Sequence, residues 1–111
     1  FSARHRLRAN EDFALIRKLG KRHGFAGFLI QALINEKAVT GRRIGFRVSR
    51  KVGNAVTRNH AKRCFRELFR IHQDKLPEQC DIVLVVHPTM PTMNRKGIEA
   101  DFLKFCNRAD G

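Results

Sequence analysis

Tryptophan and tyrosine are absent, so nine phenylalanines supply all the large rings available to a core. Acid is also scarce, with ten Asp and Glu against 23 Lys and Arg. The acids are scattered along the chain, which leaves a two-metal carboxylate site no cluster to sit on. Cys64, Cys80 and Cys106 are odd in number and form no CxxC pair, which argues against a disulfide framework or a zinc site and for reduced thiols. The histidines His5, His23, His60, His72 and His87 show no HxxxH spacing, so no metal is expected on the chain. No stretch approaches the roughly 20 apolar residues of a spanning helix, and no signal-like apolar region lies near the N-terminus. A cytoplasmic protein without a membrane partner is therefore expected. The chain opens on Phe1 rather than Met, which leads to the expectation of a few residues before it.

What is present is a globular composition with an excess of positive charge. The 111 residues are 42% hydrophobic, enough for a core in one domain spanning 1–111, since a chain of this size buries roughly 60–70% of its unfolded surface. No repeat, low-complexity tract or long linker divides it. The net charge of +13 calls for a polyanionic partner. It is unevenly spread: residues 1–22 carry +5, residues 42–70 carry ten basic and one acidic side chain, and residues 71–111 sum to −1. A solubility-driven excess would be scattered; this one looks like a footprint.

Periodicity outlines the elements. Asn10 followed by Glu11 and Asp12 suits a helix start, with Phe13, Ile16 and Leu19 on one stripe and Gly20 as a stop. Residues 25–34 form an apolar run suited to a strand, and residues 35–41 are turn-like. Residues 43–49 alternate, with Ile44, Phe46 and Val48 on one face and Arg43, Gly45, Arg47 and Ser49 on the other. Residues 81–86 are apolar throughout, as in a strand covered on both sides. Residues 94–108 place Ile98, Phe102, Phe105 and Cys106 at helical spacing.

The middle helix, about residues 57–72, carries the functional reading. At 100° per residue, Ala61, Cys64, Phe65, Leu68 and Ile71 share one side. Arg58, Asn59, Lys62, Arg63, Arg66 and Arg70 share the other. Glu67 is the helix's lone acid and lies off to the side, so like charges four apart go unrelieved. Such a face points to nucleic acid, since guanidinium groups grip phosphates bidentately.

Residues 43–70 read R-I-G-F-R-V-S-R-K-V-G-N-A-V-T-R-N-H-A-K-R-C-F-R-E-L-F-R. This closely resembles the signature of the bacterial ribonuclease P protein family: a strand, V-S-K/R-K, G-x-A-V, then the R-N-R helix with K-R and R-E. The resemblance continues upstream into R-L-R-A-N-E-D-F, ending at Phe13, and downstream into D-I-V-L-V-V and the last helix. Three positions depart from the pattern. R-N-R becomes Arg58-Asn59-His60, exchanging a guanidinium for an imidazole. Arg17 stands where a second aromatic is common, and Gln31 where a Tyr is common.

The resemblance implies an α+β fold, a compact α/β sandwich ordered helix-strand-strand-strand-helix-strand-helix. It also implies a left-handed βαβ crossover and a likeness to a ribosomal-protein domain. The chain would be the protein subunit of the ribonuclease P ribonucleoprotein, which removes the 5′ leader from precursor tRNA. Its partners would be the ribonuclease P RNA and the leader, with no DNA. The RNA would be met by Arg58, Asn59, His60, Lys62, Arg63, Arg66 and Arg70. The single-stranded leader would be met by Phe13, Arg17, Gln31, Arg47, Ser49, Arg50 and Lys51. Gly45 and Ser49 are small enough to let a strand of RNA approach. Phe13 reads equally as a stacking platform or as core.

No catalytic constellation is visible. His60 and Lys62 lack an orienting partner, and Cys64 falls on the apolar stripe. The resemblance assigns chemistry to the RNA and its Mg²⁺, with no cofactor bound by the protein itself. Two other readings stay open: a ribosomal or ribosome-assembly RNA-binding protein, and a histone-like DNA-compacting protein, which accounts for the charge alone.

Overall fold

The computed structural model describes residues 10–34 and 41–110, leaving aside the side chains of residues 10–12 and 110. The basic segment ahead of residue 10, the acidic side chains of the first turn and most of the turn expected at 35–41 lie outside it. Helix α1 spans Asn10–Leu19, followed by strands β1 (Lys21–Gly24), β2 (Phe28–Ile34) and β3 (Arg42–Arg47). Helix α2 (Ala55–His72), strand β4 (Cys80–Val86) and helix α3 (Arg95–Asp110) complete the order. This is the α+β arrangement expected, with four strands and three helices.

Gly20 ends α1 as anticipated. Its N–H donates to the Ile16 carbonyl at 2.7 Å, and a Cβ there would lie 2.5 Å from that same oxygen. The chain can therefore turn directly into β1. The single strand expected at 25–34 is instead the second arm of a hairpin: β1 and β2 pair antiparallel, Lys21 opposite Ala32. Lys21, Arg22, His23 and Gly24 carry no apolar alternation because β1 is a solvent-facing sheet edge.

The sheet runs β1-β2-β4-β3. β4 pairs antiparallel with β2 and parallel with β3, with Arg43 beside Asp81. A parallel pair needs a long crossover, and α2 supplies it. β4 lies between two strands, and its residues alternate between two apolar layers. Ile82, Leu84 and Val86 join Phe28, Phe65, Phe69, Phe102 and Phe105 beneath α2 and α3. Val83 meets Ile16 and Leu33 beneath α1. Covering on both faces explains the unbroken apolar run in β4.

Three side chains depart from the expected stripes. On α2 the buried set is Ala61, Phe65, Leu68, Phe69 and His72, while Ile71 is 45% exposed. Ile71 lies about 100° around the helix from the centre of that stripe, so position outweighs hydropathy. Cys64, also off centre, is half-buried. Leu19, in the last turn of α1, is 57% exposed, leaving Ile16 as the buried residue of its stripe. In α3 the expected Ile98, Phe102, Phe105 and Cys106 are all buried.

Candidate nucleic-acid interface

The basic segment 42–70 divides into cations that hold the fold and cations that face solvent. Arg42 donates from Nε and Nη2 to the Leu76 carbonyl at 3.1 and 2.9 Å, and from Nε to that of Pro77 at 3.2 Å. It thereby ties the start of β3 to the loop ahead of β4. Arg43 grips Asp81 with two parallel bonds, Nε to Oδ1 at 2.9 Å and Nη2 to Oδ2 at 2.7 Å. The carboxylate is buried, and such a pair persists because both lone-pair directions are met. The face of β3 is accordingly less basic than its alternation suggested. Gly45 is buried rather than open; Arg43 and Arg47 flank it on the same strand face and Val83 pairs beside it. Arg47 is the cation left outward on this face.

Arg47 meets Phe13 across the gap between β3 and α1, its guanidinium carbon 5.6 Å from the ring centroid. Phe13 is half-buried and packs beside Ile16, Leu33 and Val83, so it is both core edge and exposed ring. Arg17 is exposed one helical turn further along. Gln31 lies on β2 but retains only 7% exposure, which leaves it little surface for a ligand. Ser49, Arg50 and Lys51 are exposed beyond the end of β3. Arg50–Val52 form a 3-10 turn that plants Val52 in the core. Phe13 and Arg47 thus come together, Arg17 extends their line, and residues 49–51 lead from this cleft toward α2.

The entry to α2 is fixed by two residues that the periodicity did not single out. Gly53 adopts φ 152°, and a Cβ there would lie 2.9 Å from the Thr57 side chain. Asn54 caps the helix, its Oδ1 accepting from the Thr57 N–H at 2.9 Å. A small polar residue three positions ahead of Thr57 was a legible capping signal.

Along α2, Asn59, His60, Arg63 and Arg70 are exposed, and Arg58, Lys62 and Arg66 are half-buried. Arg66 lies over the Phe46 ring at 5.6 Å, its stem covering the edge of β3. Arg70 pairs with Glu67 one turn back, and each holds the other in its charged form. The expectation that no acid relieves this face is corrected at that position. Arg58, Lys62 and Arg63 meet no carboxylate among the described residues. The helix therefore presents a cationic ridge joined to the Phe13–Arg47 cleft through Arg50 and Lys51.

Several other titratable groups are engaged in the fold. His72 bridges α2 to α3, its Nε2 2.9 Å from Glu99 Oε2, while Lys75 Nζ lies 2.9 Å from Nδ1. A lysine donating to Nδ1 places the imidazole proton on Nε2, toward Glu99. Asp81, Glu67, Glu99 and Asp101 each face a basic partner. Among the described residues no three His, Cys, Asp or Glu gather as metal ligands would, and no helix is long and apolar enough to cross a membrane. Burial pushes the Cys80 thiol up to about 12 and that of Cys106 up to about 11. Cys64 is raised as well, again by burial. His60 and Lys62 stand about 160° apart around the helix, which separates them as an acid–base pair. This surface can bind phosphates and stack rings.

A family model described as Ribonuclease P matches residues 1–110. The ribonuclease P protein component of Staphylococcus carnosus is 39% identical over 84 residues, covering 76% of this chain and 72% of its own length. That of Alkaliphilus oremlandii is 38% identical over 99 residues, covering 89% and 85%. Among solved structures, the RNase P protein of Thermotoga maritima is similar with a TM-score of 0.81 at 31% identity, over 96% of this chain and 98% of that one. The Staphylococcus aureus RNase P protein is similar with a TM-score of 0.82 at 30% identity, over 95% and 94%.

Proposed function

The chain belongs to the ribonuclease P protein family, and on that footing we propose that it binds the catalytic RNA of a ribonuclease P holoenzyme along α2 and the 5′ leader of precursor tRNA in the Phe13–Arg47 cleft. The observation that carries this reading is the sorting of the cations. Those of α2 that the fold leaves without an acid, Arg58, Lys62 and Arg63, lie on one helix, and an aromatic–arginine cleft is joined to them. Phosphates of folded RNA bring closely spaced negative charge, and a rigid helix meets it with pre-placed cations. Leader sequences vary, so a ring and a guanidinium suit them: every base has a π-face and every nucleotide a phosphate. Arg17, Ser49, Arg50 and Lys51 extend the leader path, and Gln31 forms its wall.

In this reading the protein cuts nothing itself. Hydrolysis is carried out by the RNA with its Mg²⁺, in the cytoplasm. The protein raises affinity for leader-bearing substrate and lowers the salt or Mg²⁺ that the RNA needs. The family's membership does not favour the ribosome-assembly alternative.

Reconstituted cleavage tests the proposal. Precursor tRNA should be cut by RNA plus protein at Mg²⁺ concentrations where RNA alone is slow, and binding should exceed that of mature tRNA. Metal-dependent cleavage by the RNA-free protein, or equal binding of precursor and mature tRNA, would refute it.

A further inference from the structure

On the flank of α2 away from Lys62 and Arg66 lies a hollow of about 330 Å³. Its floor is apolar and rich in sulfur. Cys64 comes from α2, Met90 and Met93 from the turn after β4, and Ile98 from α3. Its rim holds a ring on one helix, His60, and a cation on another, Arg95. Among the described residues no carboxylate lines it, and the neighbouring acids Glu67 and Glu99 are held by Arg70 and His72.

We propose that this slot receives one unpaired nucleobase of the RNA that α2 binds. The inference rests on the RNA-binding reading of the ridge and adds a second mode of contact to it. The volume falls at the small end of ligand pockets, roughly 300–1,000 Å³, so it admits one ring system rather than an extended ligand. Thioethers are polarizable and pack well against π-faces. His60 sits three residues before Arg63, and residues at that spacing are neighbours on a helix surface. An RNA backbone running along Arg63 therefore passes the lip of the slot, where Arg95 answers the next phosphate. A flat imidazole at position 60 walls such a slot with a stacking surface, which gives the departure from R-N-R a role.

Met90 and Met93 both line the slot, so methyl labelling of methionine places two reporter resonances there. Titration with adenosine 5′-monophosphate should move both, while ribose 5-phosphate at matched ionic strength should move neither. Both should also move when ribonuclease P RNA binds. Cys64→Phe puts a ring into the space. It should abolish the response to the nucleotide and weaken RNA binding roughly 5- to 150-fold, the span of one base stack, without changing the salt slope. Arg63→Gln should instead flatten that slope. A thermal midpoint for Cys64→Phe shows whether it folds; if it does not, the wild-type methyl shifts decide alone. RNA binding with unmoved methyls overturns the slot and leaves the ridge intact. Failure to bind RNA overturns the reading beneath both. Shifts that follow protein concentration rather than nucleotide assign the slot to a second copy of the chain and overturn the proposal.

Discussion

Salt dependence of RNA binding tests the sorting of cations most directly, because each phosphate contact contributes a countable increment. Residues 42–70 contain ten basic side chains. Arg42 is engaged with backbone carbonyls, Arg43 with Asp81 and Arg70 with Glu67, and ten less these three leaves seven. At a slope near 0.9 per contact in log affinity against log salt, seven contacts give roughly a 6,000-fold loss between 50 and 200 mM. All ten would give roughly 3 × 10⁵-fold. Changing Arg58, Lys62 and Arg63 together to Gln removes three contacts and should leave a loss of roughly 150-fold. Arg66 is spared because it also covers Phe46. The assay is anisotropy or filter binding of the protein to ribonuclease P RNA loaded with leader-bearing precursor tRNA at four or more salt concentrations, so that Arg47, Arg50 and Lys51 are counted with the cations of α2, and circular dichroism shows that α2 persists. A triple variant with the wild-type slope would mean that the ridge is merely solvated. A wild-type slope near ten contacts would mean that the buried and paired arginines were counted wrongly.

Phe13→Ala should cost about 1–3 kcal/mol in binding leader-bearing substrate and nothing for mature tRNA. Because the ring is half-buried, its cost in folding stability should fall below the roughly 3–5 kcal/mol of a fully buried Phe. Equal binding losses for both tRNAs would detach α1 from the leader. Asp81→Ala removes the buried carboxylate that Arg43 grips with two bonds and should cost about 3 kcal/mol by denaturant unfolding, toward the low end because the Arg43 side chain keeps 20% exposure. Cleavage at saturating protein should be unchanged, and a loss under 1 kcal/mol would show the pair to be dispensable. Burial, with Arg108 and then Lys21 adding to it, holds His23 below its ordinary 6.5. The unfolded chain therefore takes that proton first, so the group's contribution is full above about pH 6.5 and is lost as pH falls through its folded value. His23→Gln should remove part of the drop in thermal midpoint between pH 7.5 and 5.5; identical curves for the two proteins would contradict the shift.

How far the sequence could be read follows from which properties are local. α2, α3, β3 and β4 were legible because a helix or strand that buries one face, or both, writes its period into five or more consecutive residues. β1 was not, because an exposed edge strand such as Lys21–Gly24 has no buried face to impose a pattern. The exchange of Ile71 for Phe69 and His72 had the same origin. Hydropathy ranks Ile71 as core, but α2 meets the sheet and α3 along a stripe about 100° away, and His72 is admitted there by Glu99.

Charge was legible only as a sum. Arg43 and Arg47 occupy the same face of the same strand in the same alternation, and nothing within five residues distinguishes them. The difference is made 38 residues away, where the parallel register sets Asp81 beside Arg43 and a valine, Val85, beside Arg47. One arginine is thereby fixed in the sheet and the other released to lie over Phe13. A local pattern can show that a face is basic, but which of its cations remain available to a phosphate is decided by strand register. For that reason the number of ion contacts, rather than the presence of a basic helix, is the quantity on which this reading of the interface stands or falls.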